Sequence, residues 1–413
     1  MKKKIMILGA GVGQIPFINI CKNKGYEVIA VSPKGDYPGF DIADEVVYAD
    51  TSDKETILQK AMELQIDAIM TDQTDVAVPS VAYVSEKMNL RTIGYHKAMI
   101  FSDKYSMRVE AQRSGIHVPV FYKANSESEA IGIIETMELP VIVKPTRNSG
   151  SRGVRKITVK DEIAEAVKDA FSESRISEII IEKFIRGKEY LVDGFALDNK
   201  YINTDIGEKE YFDLKGKYVS KMCMFTSANG ELDDVERKVL CENKKLVERI
   251  GLPFGITHAE YIYSYDDNEV YLVEIAARGG GVFLSSDLTP RACGIKTNEL
   301  LIDYVVEGKI ADINNFKFDN KVTAWRCFSF KTGKIHSIDG VDETKNIPGV
   351  FNVCIDDLYI GKRIDEIKDD KGKYGPILVE ASSKKECIEV LRKAEKTLRI
   401  TTEKNDVISE MVW

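Results

Sequence analysis

Cysteine is scarce and unpatterned in this chain. Its seven residues are scattered, without a C-x-x-C pair or metal-ligand spacing. That excludes a disulfide framework or a thiolate metal site and predicts reduced thiols in the cytoplasm. Long apolar runs are missing too. None reaches the roughly 18 residues needed to cross a bilayer, so no membrane partner is expected. There is no basic excess. The formal net charge is −8, and no stripe of Lys and Arg interleaved with aromatics occurs, which argues against nucleic acid as a partner. Low-complexity tracts, internal repeats and coiled-coil heptads are also lacking. The opening MKKKIMILGAGVG has the basic lead of a signal peptide, but its apolar run is short. A β/α pattern, not a cleavage site, continues after Gln14. It reads as a first strand. What remains is a soluble chain of 413 residues, long enough for two or three domains with cores of their own.

What is present begins with alternation of strand and helix. Lys4–Ala10, Tyr26–Ser32, Val46–Tyr48 and Ala68–Thr71 read as strands, with one helix running from the glycine turn through about Asn23 and another at Lys54–Leu64. This predicts a parallel sheet with crossover helices. The turn Gly9-Ala10-Gly11-Val12-Gly13 invites a dinucleotide reading. However, Gln14 replaces the third glycine, and Ser32-Pro33 ends the second strand where an acid is wanted. A turn bringing a small substrate to the helix N-terminus fits better. Asp72 and Asp75, at the expected carboxyl edge of the sheet, are candidate substrate contacts, with an Asx turn or a cap as the alternative.

Further along, Asp103 is placed to cap a helix over Tyr105–Ser114. A strand, LPVIVK, delivers Lys144 into Pro145–Gly153. This loop holds Ser149 and Gly150 and suits a flap whose N–H groups cover phosphates. It is not a Walker A loop, because the lysine precedes the glycines. The strand EIIIEKFI (Glu178–Ile185) exits towards a cleft, and antiparallel segments follow it. The helix Asp234–Ile250 then precedes THAEYIYSYDDNEVYLVEIAARGGG, Thr257–Gly281. With its turn centred on Asp267, this hairpin sets Glu260 opposite Glu274, His258 opposite Ala276 and Ile262 opposite Leu272. Opposed carboxylates lie about 4.5–5.5 Å apart at Cβ. They repel unless a cation sits between them, and a hard oxygen pair suits Mg²⁺ that also holds phosphate. Arg278 and three glycines follow directly, where phosphoryl oxygens could sit. Beyond a helix at Thr297–Glu307, Val322–Phe330 and Ile335–Ile338 predict a hairpin around Thr332-Gly333. Further strands and a helix at Ser383–Leu398 complete a small α+β module without a chemical cluster.

Asp103-Lys104, Val143-Lys144 with its glycine flap, Ile181–Ile185 with Gly187-Lys188-Glu189, and Glu260…Glu274-x-x-x-Arg278 together resemble the ATP-grasp superfamily. The resemblance covers about residues 1–305. It implies an N-terminal Rossmann-like domain (1–101), a two-part ATP-grasp domain (102–187 and 188–305) with antiparallel sheets, and a C-terminal α+β module (306–413). It also implies that Lys104 and Lys144 hold ATP phosphates, with Ser149 and Gly150 covering them. Glu182, Lys183, Phe184 and Ile185 would meet adenine, largely through backbone, and Glu189 the ribose. Glu260 and Glu274 would ligate Mg²⁺ or Mn²⁺, and Arg278 would hold the γ-phosphate or an acyl phosphate. Ala276 stands where many members have Asn, which puts a second metal in doubt. His258 is a further candidate for contact with phosphate, or else a packed histidine. The ending EIAARGGG is more similar to L-amino-acid ligases and related carboxylate–amine ligases than to biotin carboxylase. The implied partners are a small carboxylate and an amine, with a homodimer as the family-like assembly. Arg291 is a candidate for a substrate carboxylate. GAGVGQ and DQTD also resemble purine-pathway members that activate formate or bicarbonate, where Arg91 or Lys97 would meet a ribonucleotide phosphate. A non-catalytic nucleotide sensor is a third reading. It predicts loss of the metal and lysine positions, which are retained here.

Overall fold

The computed structural model describes residues 2–148, 150, 152–214, 219–281, 283–367 and 372–413. The first strand is continuous apolar sequence because both of its faces are covered. β1 (Lys4–Leu8) lies at the centre of a four-stranded parallel sheet with β2 (Glu27–Ser32), β3 (Glu45–Tyr48) and β4 (Ala68–Met70), in the order β3-β2-β1-β4. Ile5, Ile7 and Val28 face one core with Phe17, Phe195 and Ile256. Met6, Leu8 and Ile29 face another with Ile57, Ala61 and Val84. Double-sided burial of this kind is what a parallel sheet requires.

The next sheet is antiparallel. It contains β5 (Phe121–Ala124), β6 (Val141–Pro145), β7 (Arg155–Ile157) and β8 (Ile179–Lys183), in the order β5-β8-β6-β7. After β9 (Gly187–Leu197) come β10 (Lys200–Tyr211), β11 (Ser220–Ser227), β12 (Phe254–Ser264) and β13 (Val270–Ala276). β12 runs antiparallel to β9 over eleven pairs and to β13 on its other side.

The chain divides into two compact units. The first is Met1–Thr204, Asp234–Asp287 and Ile295–Phe316. The second is Asp205–Asp233, Leu288–Gly294 and Lys317–Trp413. In the second unit β14 (Val322–Phe328) pairs with β11, and β18 (Tyr374–Ala381) joins β14 to β16 (Val350–Val353). β15 (Gly333–Asp339) lies in a separate sheet with β17 (Arg363–Ile364), β19 (Arg399–Lys404) and β20 (Val407–Glu410).

Two expectations are corrected here. β14 and β15 are not a hairpin: each pairs with strands distant in sequence, and Thr332-Gly333 only turns the chain from one sheet to the other. The helix at Lys384–Thr397 does not end the module, since β19 and β20 follow it. The apolar core of this unit joins Ala324 and Phe328 of β14 to Leu391 and Ala394 of that helix. Five of the seven cysteines, Cys21, Cys223, Cys293, Cys327 and Cys387, are buried. No helix among the described residues is long and apolar enough to cross a membrane.

Candidate active site

The helix Lys104–Arg113 organises the site. Asp103 caps it, accepting the Ser106 N–H at 2.9 Å, and its other oxygen takes Arg147 Nε at 2.8 Å. Such a cap contributes about 1 kcal/mol. The Lys104 N–H donates to the Thr146 carbonyl at 2.9 Å. The root of the glycine-rich loop is thereby fastened to the start of the helix. Gly150 in that loop takes φ +69°, which favours glycine. Ser149 lies outside the described residues.

Residues four apart on a helix share a face, and Lys104 and Arg108 both turn towards β13. Lys104 Nζ donates to Glu274 Oε1 at 2.8 Å and to the Asn148 carbonyl at 2.7 Å, with its side chain only 7% exposed. Glu274 lies directly opposite Glu260, and His258 opposite Ala276, as the turn arithmetic predicts. Past that point the register shifts by one. Tyr261 faces Leu272 and Ile262 faces Tyr271, so the expected Ile262–Leu272 pair is corrected, and Val273 has no partner in the ladder. This is a β-bulge, which bends the strand and re-aims its side chains.

Lys144 and Glu182 lie diagonally across adjacent strands, Lys144 in register with Ile180 and Glu182 with Ile142, and Lys144 Nζ is 2.7 Å from Glu182 Oε2. The second Glu182 oxygen accepts Arg108 Nε at 2.6 Å. Burial opposes ionisation of Glu182, but the Arg108 and Lys144 charges outweigh it and hold the carboxyl well below its usual range. Burial pushes the Lys144 ammonium down, and Glu182 counters this only in part. Arg108 escaped the sequence reading because a helical arginine reads as a solvated surface residue. Its spacing of four from Lys104 was the available signal.

The backbone N–H groups of Lys183 and Phe184 donate to the Val120 and Pro140 carbonyls at 2.9 and 3.1 Å. Any contribution of these two residues to a base is therefore by carbonyl or side chain. The Lys156 ammonium lies 3.6 Å from the centre of the Phe184 ring. Ile185 and Glu189 follow, and Glu189 pairs in register with Ile262 of the hairpin that carries Glu260 and Glu274.

Arg278 is drawn to the end of β4. Its Nε donates to Asp75 Oδ1 at 2.7 Å and its Nη1 to the Gly279 carbonyl at 2.8 Å. Burial disfavours its charge, yet Asp75 more than compensates. Asp72 is 1% exposed. Its Oδ2 accepts Ser285 Oγ at 2.8 Å and Asn298 Nδ2 at 3.3 Å, while Oδ1 has no hydrogen-bond partner. Burial raises its carboxyl above the usual range, and the neutral donors only partly offset this. Gln14, the residue that breaks the dinucleotide fingerprint, is buried. It ties the first glycine turn to this loop through the Asp72 carbonyl and, at 2.8 Å, Thr74 Oγ1. A Cβ at Gly279 would collide with Asp72 Oδ1 and Ser285 Oγ, and one at Gly280 would lie 2.8 Å from His258 Nδ1. That histidine nitrogen is 3.1 Å from Asp193 Oδ1 on β9, a partner hidden in the alternating sequence of that strand. Arg291 belongs to the second unit, where its charge is spent on Glu380 at 2.8 Å over the Phe351 ring.

No group of three or more His, Cys, Asp or Glu gathers as a metal cluster among the described residues. Two opposed carboxylates fit Mg²⁺ where phosphates and waters complete its shell.

Comparison with known proteins agrees with this geometry. Residues 137–286 match the ATP-grasp domain, and residues 326–403 match the L-amino acid ligase C-terminal domain 2. The chain is 27% identical to the alanine–anticapsin ligase of Bacillus subtilis over 278 residues, which are 63% of this chain and 58% of that one. The chain thus spans little more than half of this curated relative. The L-amino acid ligase from Bacillus licheniformis has a similar structure, with a TM-score of 0.81 and 21% identity over 98% of this chain and 99% of that one. The phosphoribosylglycinamide synthetase from Anaerococcus prevotii gives 0.74 and 21%, over 98% and 100%.

Proposed function

This chain carries an ATP-grasp domain and an L-amino acid ligase C-terminal domain, and from that premise we propose that it is an ADP-forming carboxylate–amine ligase acting on amino acids or similar small acids. The observation that carries the reading is the pair Glu260 and Glu274, directly opposed, with a lysine joining Glu274 to the glycine-rich loop. In this reading Lys104 and Lys144 hold the phosphates of ATP. The segment Glu182–Ile185 borders the adenine, and Glu189 borders the ribose. Mg²⁺ held by Glu260 and Glu274 supplies neutralisation of phosphate charge. Arg278, kept cationic by Asp75, holds the transferred phosphoryl group.

The substrate carboxylate oxygen attacks the γ-phosphorus and ADP leaves. An amine then attacks the acyl carbon of the acyl phosphate, inorganic phosphate departs, and the amine proton is lost. Phosphoryl transfer of this kind rests on positioning and charge neutralisation more than on covalent participation by the protein. Closure of the glycine-rich loop would keep water from the acyl phosphate. In this reading His258, whose Nδ1 lies 3.1 Å from Asp193 Oδ1, meets phosphate or takes the amine proton.

The test is ADP and phosphate release across amino acids, amino-acid pairs, and formate or bicarbonate with purine ribonucleotides. Release that needs an amino acid and grows with a second amine is expected, and Glu274→Ala should lower it about 100-fold or more. Release confined to ribonucleotides would overturn the amino-acid ligase reading. Unchanged release by Glu274→Ala would overturn the metal assignment.

A further inference from the structure

Arg108 has no place in the proposed chemistry, yet it is the most deeply buried charge beside it, at 0% exposure. Its guanidinium spans two elements. Nε reaches Glu182 Oε1 on β8 at 2.6 Å, and Nη2 reaches the carbonyl of Val273 on β13 at 2.6 Å. Val273 is the residue that the bulge leaves unpaired in the ladder, and it immediately precedes Glu274. A bulge leaves backbone polar groups to be satisfied elsewhere, and here a buried guanidinium satisfies the carbonyl. The same side chain braces Glu182, whose other oxygen holds Lys144. One turn earlier on this helix face, Lys104 reaches Glu274 itself. Between them, Met107 Sδ accepts the Ile275 N–H at 3.2 Å. Three residues of one helix therefore contact three successive residues of β13.

We propose that Arg108 is a positioning residue that sets Glu274 and Lys144 at a fixed separation, so that metal and phosphate are bound as one unit. The proposal rests on the reading of Glu260 and Glu274 as the metal pair and of Lys144 as a phosphate lysine. A planar fork can serve both acceptors at once, whereas an ammonium is a point charge that favours one. Arg108→Lys therefore keeps a cation beside Glu182, and with it the fold, while losing the second anchor. Loss of an outer-shell partner typically costs about 10–100-fold in metal affinity.

The measurement is ADP affinity by calorimetry, with and without Mg²⁺, on the full chain and on Arg108→Lys and Arg108→Met. Thermal unfolding serves as the check of fold. Wild type should bind ADP more tightly with Mg²⁺. Arg108→Lys should lose about 10-fold or more of that enhancement, with metal-free ADP affinity changed far less. Mn²⁺ bound with ADP to the variant should also show an altered electron paramagnetic resonance spectrum. A purely structural arginine would lower both affinities together. If the Lys variant keeps the full enhancement, or loses metal-free affinity equally, the proposal is overturned. If wild type shows no enhancement at all, the metal reading itself falls and takes the proposal with it. If Arg108→Met unfolds, the Lys variant decides alone.

Discussion

Glu182 and Asp72 are two carboxylates almost equally removed from water, and they end in opposite states. Glu182 sits between Arg108 and Lys144 and is held ionised. Asp72 is offered only hydroxyl and amide donors nearby, with the Arg278 charge a lesser influence, and its carboxyl is raised. Burial is the largest single influence on both and pushes both the same way. The difference lies in what the neighbouring side chains bring. Two cations in contact outweigh the loss of hydration, and neutral donors do not. The side of the site around Glu182 is thus built on charges already neutralised in pairs. The side beside the first glycine turn keeps a carboxyl raised above its usual range by burial, with one oxygen unpartnered.

The comparison can be broken most forcefully at Glu182. Glu182→Gln leaves two buried cations without a counter-charge and should cost about 3–5 kcal/mol at neutral pH, read from urea unfolding. Its folded pKa lies below the unfolded value. The stability Glu182 confers is therefore complete above the unfolded value of about 4.3 and is lost as pH falls towards about 2. The difference between wild type and Glu182→Gln should shrink across that window. A flat difference would show that Glu182 is not charged in the fold.

A smaller effect is expected from Gly279→Ala, which forces a methyl against Asp72 and Ser285. Overpacking there should cost about 1–3 kcal/mol, whereas Gly281→Ala, with open space around it, should stay within about 0.5 kcal/mol. Equal effects would remove the crowding argument. The smallest change belongs to Asp72→Asn, with the opposite sign of pH dependence. A raised folded pKa means that wild type loses stability as pH climbs above the unfolded value of about 3.9. The Asn variant should therefore gain on wild type from pH 4 to pH 7, and a loss over that range would contradict the raised carboxyl.

Legibility followed the range of each interaction. Glu260 and Glu274 could be set opposite each other because a hairpin is local, and period-two alternation with one turn brings the two carboxylates within a residue of register. Beside the turn the arithmetic is one residue out, with Tyr263 facing Val270, and the bulge at Val273, which nothing in the sequence announces, restores the predicted Glu pair. Arg108 was invisible because a guanidinium that braces two distant strands has the same letter and helical setting as one in water. Thr332-Gly333 looked like a hairpin turn for the same reason. Turn chemistry is local, while the choice of β11 and β18 as neighbours of β14 is made by the core around Phe328 and Leu391. Asp193 lay within a strand of correct alternation, where its pairing with His258 depends on an inter-strand register that β9 alone does not reveal.

The unpaired Val273 also bears on how such a hairpin could change length over generations. Deleting that residue would let Glu260 face Glu274 and Tyr261 face Leu272 in an unbroken ladder, with every neighbouring side chain still on its own face. By the standards of strand pairing this would be an improvement. The deletion would nevertheless remove the carbonyl that Arg108 grips, leaving a sheet in better order and a buried guanidinium without its second anchor. A gap of one residue in this strand would thus separate the lineage's folding from its chemistry.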